Sequence, residues 1–257
     1  MYEDNEVATS RKYLEEVITT INEPIVLLGG WAVYFLVNKS YKETTGRDYI
    51  GSRDIDLGFT IPSVDMENSA FTKALTRLED ELGFKPLSFR LFKETHLETG
   101  EAIDTKDAKS TPSYMIFPLY IDLIVDKIPE GFAERFGFTP IDEPLLTPVF
   151  SYPENRTEIN EFGKQLWLPS PNIMLAMKIK SYPDRTKDHK RIKDLSDITA
   201  ILLFSSIKRE DEMLLKILTR EDIERFKTTL TPGDIERAAV TMGIDKALME
   251  NAIRQIN

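Results

Sequence analysis

Two aspartates one residue apart, Asp54 and Asp56, lie in Ser52-Arg53-Asp54-Ile55-Asp56-Leu57, where acidic and apolar residues alternate. In an extended strand this alternation sends both carboxylates to one face, about 6–7 Å apart, and Ile55 and Leu57 to the core. Like charges held that close repel, and one would be pushed toward protonation unless a cation relieves the conflict. Hard oxygen ligands of this kind suit Mg²⁺, or Mn²⁺. A third acid, Asp122, interrupts the apolar run Leu119-Tyr120-Ile121-Asp122-Leu123-Ile124-Val125, where an ionised side chain is costly unless it is paired or bound to metal. Three carboxylates on adjacent strands can hold two Mg²⁺ ions, which clamp phosphates, activate an attacking hydroxyl and stabilise departing pyrophosphate. Upstream, Gly29-Gly30 closes the short apolar run Ile25-Val26-Leu27-Leu28. Without side chains their backbone can approach a phosphate, and the helix N-terminus that follows attracts anions. Taken singly, an Asp-x-Asp pair, a Gly-Gly turn and one buried Asp are commonplace. Their order along the chain makes them one constellation.

Positioning those residues takes a particular set of elements. Val7, Leu14, Val17, Ile18 and Ile21 recur at helical spacing and predict an opening amphipathic helix over 7–21, stopped by Pro24. Residues 25–28 predict a buried strand, and Trp31 to Val37 a helix, followed by a polar loop from Asn38 to Arg53. Period-two alternation predicts a strand at 55–59, and Phe71, Leu75, Leu78 and Leu82 mark one stripe of a helix over 66–82. Phe84–Phe92 and Tyr114–Val125 predict further strands, with polar residues 93–113 as the loop between them. Prolines at 129, 140, 144, 148 and 153 exclude long helices from 129–168, which reads as irregular. Ser170-Pro171 and Thr231-Pro232 are helix starts, with a hydroxyl cap and proline in the first turn. The expected organisation is an α/β core over 1–168, with a mixed β-sheet flanked by helices, followed by a helical domain over 169–257.

Composition narrows the chemistry. Of 257 residues, 41% are hydrophobic, none is cysteine and two are histidine. That removes disulfides, thiolate zinc sites, iron–sulfur clusters and cysteine nucleophiles. His96 and His189 are too far apart for an HExxH-type site. A net charge of −10 disfavours wholesale binding to duplex nucleic acid while leaving room for a local basic groove. No stretch approaches the roughly 20 apolar residues of a membrane span. The acidic start Met1-Tyr-Glu-Asp-Asn-Glu lacks the basic-then-apolar pattern of a signal peptide. The expectation is a cytoplasmic protein with no membrane partner.

Over residues 25–126 the pattern Leu28-Gly29-Gly30, Asp54-Ile55-Asp56-Leu57 and Ile121-Asp122-Leu123 resembles the nucleotidyltransferase superfamily that includes DNA polymerase β. The resemblance implies a nucleotidyltransferase fold and Mg²⁺-dependent transfer of a nucleoside monophosphate from an NTP to a hydroxyl, releasing pyrophosphate. It implies that Asp54 and Asp56 coordinate the metals and that Asp122 completes the site and helps activate the acceptor hydroxyl. Gly29, Gly30 and Ser52 would cradle phosphate. The long interval from Gly30 to Asp54 and the Gly-Gly-Trp-Ala sequence resemble the branch containing antibiotic nucleotidyltransferases and AbiEii-type toxins. In that branch an arginine precedes the Asp pair, a role open to Arg47 or Arg53.

In the second half, Lys178 shares a helical face with Met174 and Leu175. A lysine on an apolar stripe either seeks an anion, here a triphosphate, or snorkels from a helix edge. Lys190/Asp194 and Lys193/Asp197 have the i,i+4 spacing of weak surface ion pairs. The same stretch resembles AbiEii-type proteins at Lys178, Arg185, Lys193-Asp194 and Asp197, implying that these residues bind nucleotide. The toxin resemblance implies an RNA acceptor such as tRNA and an antitoxin partner. The antibiotic-modifying resemblance implies a small hydroxylated acceptor, and a non-catalytic nucleotide-binding module is the competing class.

Overall fold

The computed structural model describes residues 2–207 and 212–256. The chain divides into two compact units, one of residues 2–31 and 51–168, the other of 32–50 and 169 onward. The expected organisation was a single cut after 168. Residues 32–50 fall instead with the C-terminal helices.

The first unit opens with α1 (Asp4–Thr20), whose acidic first turn is closed by a reciprocal cap between Glu3 and Glu6. Thus the acidic N-terminal stretch is the start of a helix, favoured there by the helix dipole. β1 (Val26–Leu27) leads into α2 (Gly29–Thr45), and β2 (Ile55–Phe59) follows. Ser69 caps α3 (Ala70–Asp80), which buries Phe71, Ala74 and Leu78. A β3 (Lys85–Leu87) and β4 (Arg90–His96) hairpin comes next, then α4 (Thr105–Ser110) and the ten-residue β5 (Ile116–Val125). The stretch 129–168 holds α5 (Phe132–Phe136), β6 (Ile141–Asp142), α6 (Leu146–Ser151), β7 (Arg156–Glu161) and β8 (Lys164–Pro169). Its helices are short, as the prolines require, but it is not irregular throughout. Phe162 and Gly163, both at positive φ, turn β7 into β8.

All eight strands form one sheet in the order β3-β4-β5-β2-β1-β8-β7, with β6 beside the end of β5. β2 and β5 run parallel, while β1 is antiparallel to β2 and β4 antiparallel to β5. The mixed sheet flanked by helices is the expected α/β class. Ile55, Leu57, Phe59, Leu119, Ile121 and Val125 are fully buried on the core face. Alternation therefore fixes which residues of β2 and β5 point the other way.

In the second unit α2 continues to Thr45, eight residues beyond the expected helix. Val33, Val37 and Tyr41 extend one buried stripe at i+4 intervals, and Gly46 at φ +76° ends the helix. α7 (Pro171–Ser181) starts at Ser170-Pro171 and buries most of its length. α8 (Asp188–Phe204), α9 (Glu212–Ile217), α10 (Arg220–Thr229), α11 (Pro232–Met242) and α12 (Lys246–Arg254) complete the unit. Thr231 caps α11 as its sequence predicts, its hydroxyl accepting from the Asp234 amide. No helix among the described residues is long and apolar enough to cross a membrane.

Candidate functional site

Strand register brings the sequence-predicted acids together. Asp56 on β2 is directly opposite Asp122 on β5, so both carboxylates leave the same face of the sheet from backbones about 4.8 Å apart. Asp122 in turn is directly opposite Arg90 on β4. On the other side of Asp56 lies Gly29, the first residue of α2. The Leu28 amide donates to the Asp56 carbonyl at 2.9 Å. A Cβ at Gly29 would stand 1.9 Å from Asp56 Oδ2, and Gly29 has φ +60°. Only glycine tolerates both conditions. The missing side chain at Gly29 therefore makes room first for the Asp56 carboxylate. The result is a row, Gly29–Asp56–Asp122–Arg90, across the centre of the sheet. Asp54 is half-buried two residues ahead of Asp56, just before β2 begins.

The sequence reading missed Arg90. Its Nε lies 2.9 Å from Asp122 Oδ1, and its Nη2 donates to Oδ2 at 2.9 Å. Tyr120 and Phe89 hold the guanidinium at 4.6 and 4.9 Å from their ring centroids. Only the Nη2 contact has hydrogen-bond geometry, so the pair is one charge-assisted hydrogen bond with a second close ionic approach on a nearly buried carboxylate. It answers in part how β5 tolerates an acid in an apolar run. Alternation about Leu91 placed Arg90 on the non-core face of its strand. Which acid it met depended on a strand pairing 32 residues away.

Around this row, Gly30 and Ser52 are buried and follow or precede the key strands. Arg53 pairs with Glu6 at 3.1 Å and lies over the Phe117 ring at 5.1 Å. Arg47 is exposed and belongs to the other unit, where its guanidinium occupies the space a Cβ at Gly243 would need. Trp31 is core, its indole N–H donating to Ser10 Oγ at 3.0 Å.

Metal-binding chemistry is present in kind but not as a finished cage. Asp54, Asp56 and Asp122 offer hard oxygen donors. Among the described residues, however, no three His, Cys, Asp or Glu side chains gather closely enough to form a metal-ligand cluster. Both Asp122 oxygens face Arg90. The donor set fits a divalent ion whose coordination is completed by substrate oxygens, as is usual for Mg²⁺.

In the helical unit, the second-half residues singled out by sequence also converge. Lys178 on α7 reaches Asp194 at 2.6 Å and Asp197 at 2.8 Å on α8. Lys193 pairs with Asp197, and Arg185, from the connection between the helices, pairs with Asp194. Tyr49 adds a hydroxyl that donates to Asp197 Oδ1 at 2.8 Å. Lys178, Lys193, Asp194 and Asp197 are all at most 7% exposed. This is a largely buried network, with Lys178 bridging α7 to α8, where the spacing alone predicted surface pairs or a snorkelling lysine.

Burial opposes each charge, and the partners decide the outcome. Burial alone would lower Lys178, but Asp194 and Asp197 more than offset it and hold it above the usual lysine range. Burial would raise Asp194, yet Lys178 and Arg185 hold it below the usual carboxylate range. Lys193 is lowered, by burial first and with Lys178 beside it opposing a second charge. Tyr49 is pushed well above its usual value by burial and by the Asp197 charge. Arg185 is the most open member, its side chain 37% exposed.

No family model matches the sequence, and no curated protein matches it. Among solved structures, the chain is similar to an antigenic nucleotidyltransferase-like protein from Paracoccidioides brasiliensis. The two share 16% identity at a TM-score of 0.43, over 87% of this chain and 92% of that one. A likeness this distant assigns no residue and no activity.

Proposed function

We propose that the protein is a nucleotidyltransferase that moves a nucleoside monophosphate from an NTP to a hydroxyl acceptor. The observation that carries this reading is the register of Asp56 opposite Asp122, with Gly29 closed against Asp56 at the start of a long helix. Two acids on one face of a sheet, next to a helix N-terminus, form a place where a cation and a polyphosphate meet. Asp54 and Asp56 are the residues that would hold Mg²⁺ or Mn²⁺. When bound, the metal neutralises phosphate charge and lowers the pKa of the attacking hydroxyl. The backbone of the first turn of α2, from Gly29-Gly30 onward, presents N–H groups to phosphate. In the transfer, the acceptor oxygen bonds to the α-phosphorus and its proton leaves to water. The bond from that phosphorus to the bridging oxygen breaks, and pyrophosphate departs with the electron pair.

Of the helical unit's residues that the resemblance assigns to nucleotide binding, Arg185 is the most exposed, its side chain 37% open. Lys178, Lys193, Asp194 and Asp197 fix its position and do not themselves serve as ligands. The toxin-like resemblance adds an RNA acceptor, such as tRNA, and an antitoxin partner. The antibiotic-modifying resemblance adds a small hydroxylated acceptor in its place.

The test incubates the protein with Mg²⁺, each α-labelled NTP in turn, and either total tRNA or a panel of hydroxylated small molecules, beside Asp56→Asn. Label on RNA with the unaltered protein alone supports the RNA reading, and label on a small molecule alone supports the other. Nucleotide binding without transfer to any acceptor would leave a binding module of the same architecture. Absence of both overturns the proposal.

A further inference from the structure

We infer that the β3–β4 end of the row is the acceptor's place, and that its apolar and aromatic side chains select an acceptor carrying a nucleobase. This rests on the nucleotidyltransferase reading and names the acceptor class which that reading leaves open. Strand pairing extends the row past Arg90. Leu87 on β3 is directly opposite Arg90, as Arg90 is opposite Asp122. Residues directly opposite one another share a face, so Asp56, Asp122, Arg90 and Leu87 all leave the sheet on the same side. Tyr120, two residues before Asp122, shares that side, and so does Phe92 opposite Tyr120.

The two ends of the row differ in kind. At one end is the first turn of α2, whose N–H groups suit phosphate. At the other, Leu87 is 46% exposed, and Phe89, Phe92 and Tyr120 are each partly open. The Arg90 guanidinium lies 4.6 Å from the Tyr120 ring centroid and 4.9 Å from that of Phe89, so rings and cation form one surface. In phosphoryl transfer the attacking and leaving oxygens are roughly in line through phosphorus. With pyrophosphate leaving toward α2, the acceptor hydroxyl arrives from the opposite direction, past Leu87 and Arg90. Leu87 is two strand spacings from Asp122, about 9–10 Å, an interval that a sugar ring spans. A ribose hydroxyl at Asp122 therefore sets its base beside Leu87 and Phe89. Nucleobases stack on aromatic rings and on guanidinium planes. An aminosugar acceptor brings amines that need acceptors, and Leu87, Phe89 and a guanidinium offer none.

The experiment measures binding of adenosine and of a single-stranded oligoribonucleotide to the full chain, with a non-hydrolysable ATP analogue in excess to fill the NTP site. Phe89→Leu, which keeps the apolar volume and loses the ring, is expected to weaken binding about tenfold, the scale of one lost base stack. Phe89→Tyr keeps the ring and is expected to bind like the unaltered protein. Leu87→Ala, at an exposed position, is expected to weaken binding about threefold and serves if Phe89→Leu does not fold. In transfer assays Phe89→Leu should raise KM for the acceptor and leave KM for NTP unchanged, a split that a merely structural ring would not give. Ring-dependent binding of either probe supports the inference. Adenosine held as tightly as the oligonucleotide indicates a free nucleoside, and a tighter oligonucleotide indicates a chain end. Equal binding in all variants, or binding of neither probe, overturns it. Transfer to an aminosugar that is unchanged in Phe89→Leu sinks the inference and leaves the transferase reading standing. Ring-dependent oligonucleotide binding without transfer to any acceptor does the reverse.

Discussion

The protein holds two arrays of charged side chains, and they are built on opposite principles. On the sheet, strand register sets Asp56 beside the buried Asp122 with one arginine at the end of the row, so that the row holds two acids and one base. In the helical unit, two acids and three bases interlock between α7 and α8, and nearly all of them are buried. The first array sets two acids of one sheet face beside one arginine and offers hard oxygen donors. The second ties each acid to two bases, Asp194 to Lys178 and Arg185 and Asp197 to Lys178 and Lys193, and a ligand at its buried members would have to break a pair. Charge paired throughout a core points to architecture.

The largest effect should separate these roles. Lys178→Met leaves Asp194 and Asp197 without their shared partner in the interior, which costs about 3–5 kcal/mol. Denaturant unfolding would measure it. A variant of near-normal stability that no longer binds NTP would invert the comparison and make Lys178 a ligand.

Gly29→Ala tests the other array. The left-handed backbone alone costs about 1–2 kcal/mol, and the new Cβ would strike Asp56 Oδ2. Transfer activity should therefore vanish while the fold survives, and paired activity and unfolding measurements check this. Full activity in Gly29→Ala would mean that the position of Asp56 is not critical.

Alkaline pH sharpens the contrast further. Tyr49 has a raised pKa in the folded state, so above about pH 10 the unfolded chain loses a proton that the folded chain keeps. Stability should fall there by up to ~1.4 kcal/mol per pH unit from this group. Tyr49→Phe should show a shallower decline between pH 10 and 11. Lys193, lowered in the fold, acts with the opposite sign just below the usual lysine value and partly offsets the Tyr49 effect there. The smallest effect is a control. Arg220 and Glu224 pair on the exposed face of α10, and Arg220→Ala should change unfolding by less than about 0.5 kcal/mol.

The parts of this design that could be read from sequence are those encoded locally. Asp54-Ile55-Asp56-Leu57 states its own strand and faces, Thr231-Pro232 states its own cap, and Ser170-Pro171 states a helix start, although the Ser170 hydroxyl makes no capping hydrogen bond. Helical spacing predicted the Lys193–Asp197 pair but neither its burial nor the meeting of Lys178 with Asp194 and Asp197. That depended on α7 packing against α8. Arg90 and Tyr49 were invisible because each acquires its meaning from a partner far along the chain, at separations of 32 and 148 residues. The β7–β8 hairpin was obscured because β7 is charged and nowhere fully buried. Its one local signal was Phe162-Gly163.

The path of α2 limits how this protein can be divided. Its first turn supplies Gly29 to the sheet, while Tyr41, further along the same helix, donates to the Met242 carbonyl, and Tyr49 just beyond it to Asp197. A fragment ending at Leu168 would keep the acids but strip both tyrosines of their acceptors and expose the Val37–Tyr41 stripe to water. A fragment beginning at Pro169 would lose the segment that covers Asp197. Neither half is a module that can be moved alone, and any exchange with another protein would have to carry α2 and both of its surroundings together.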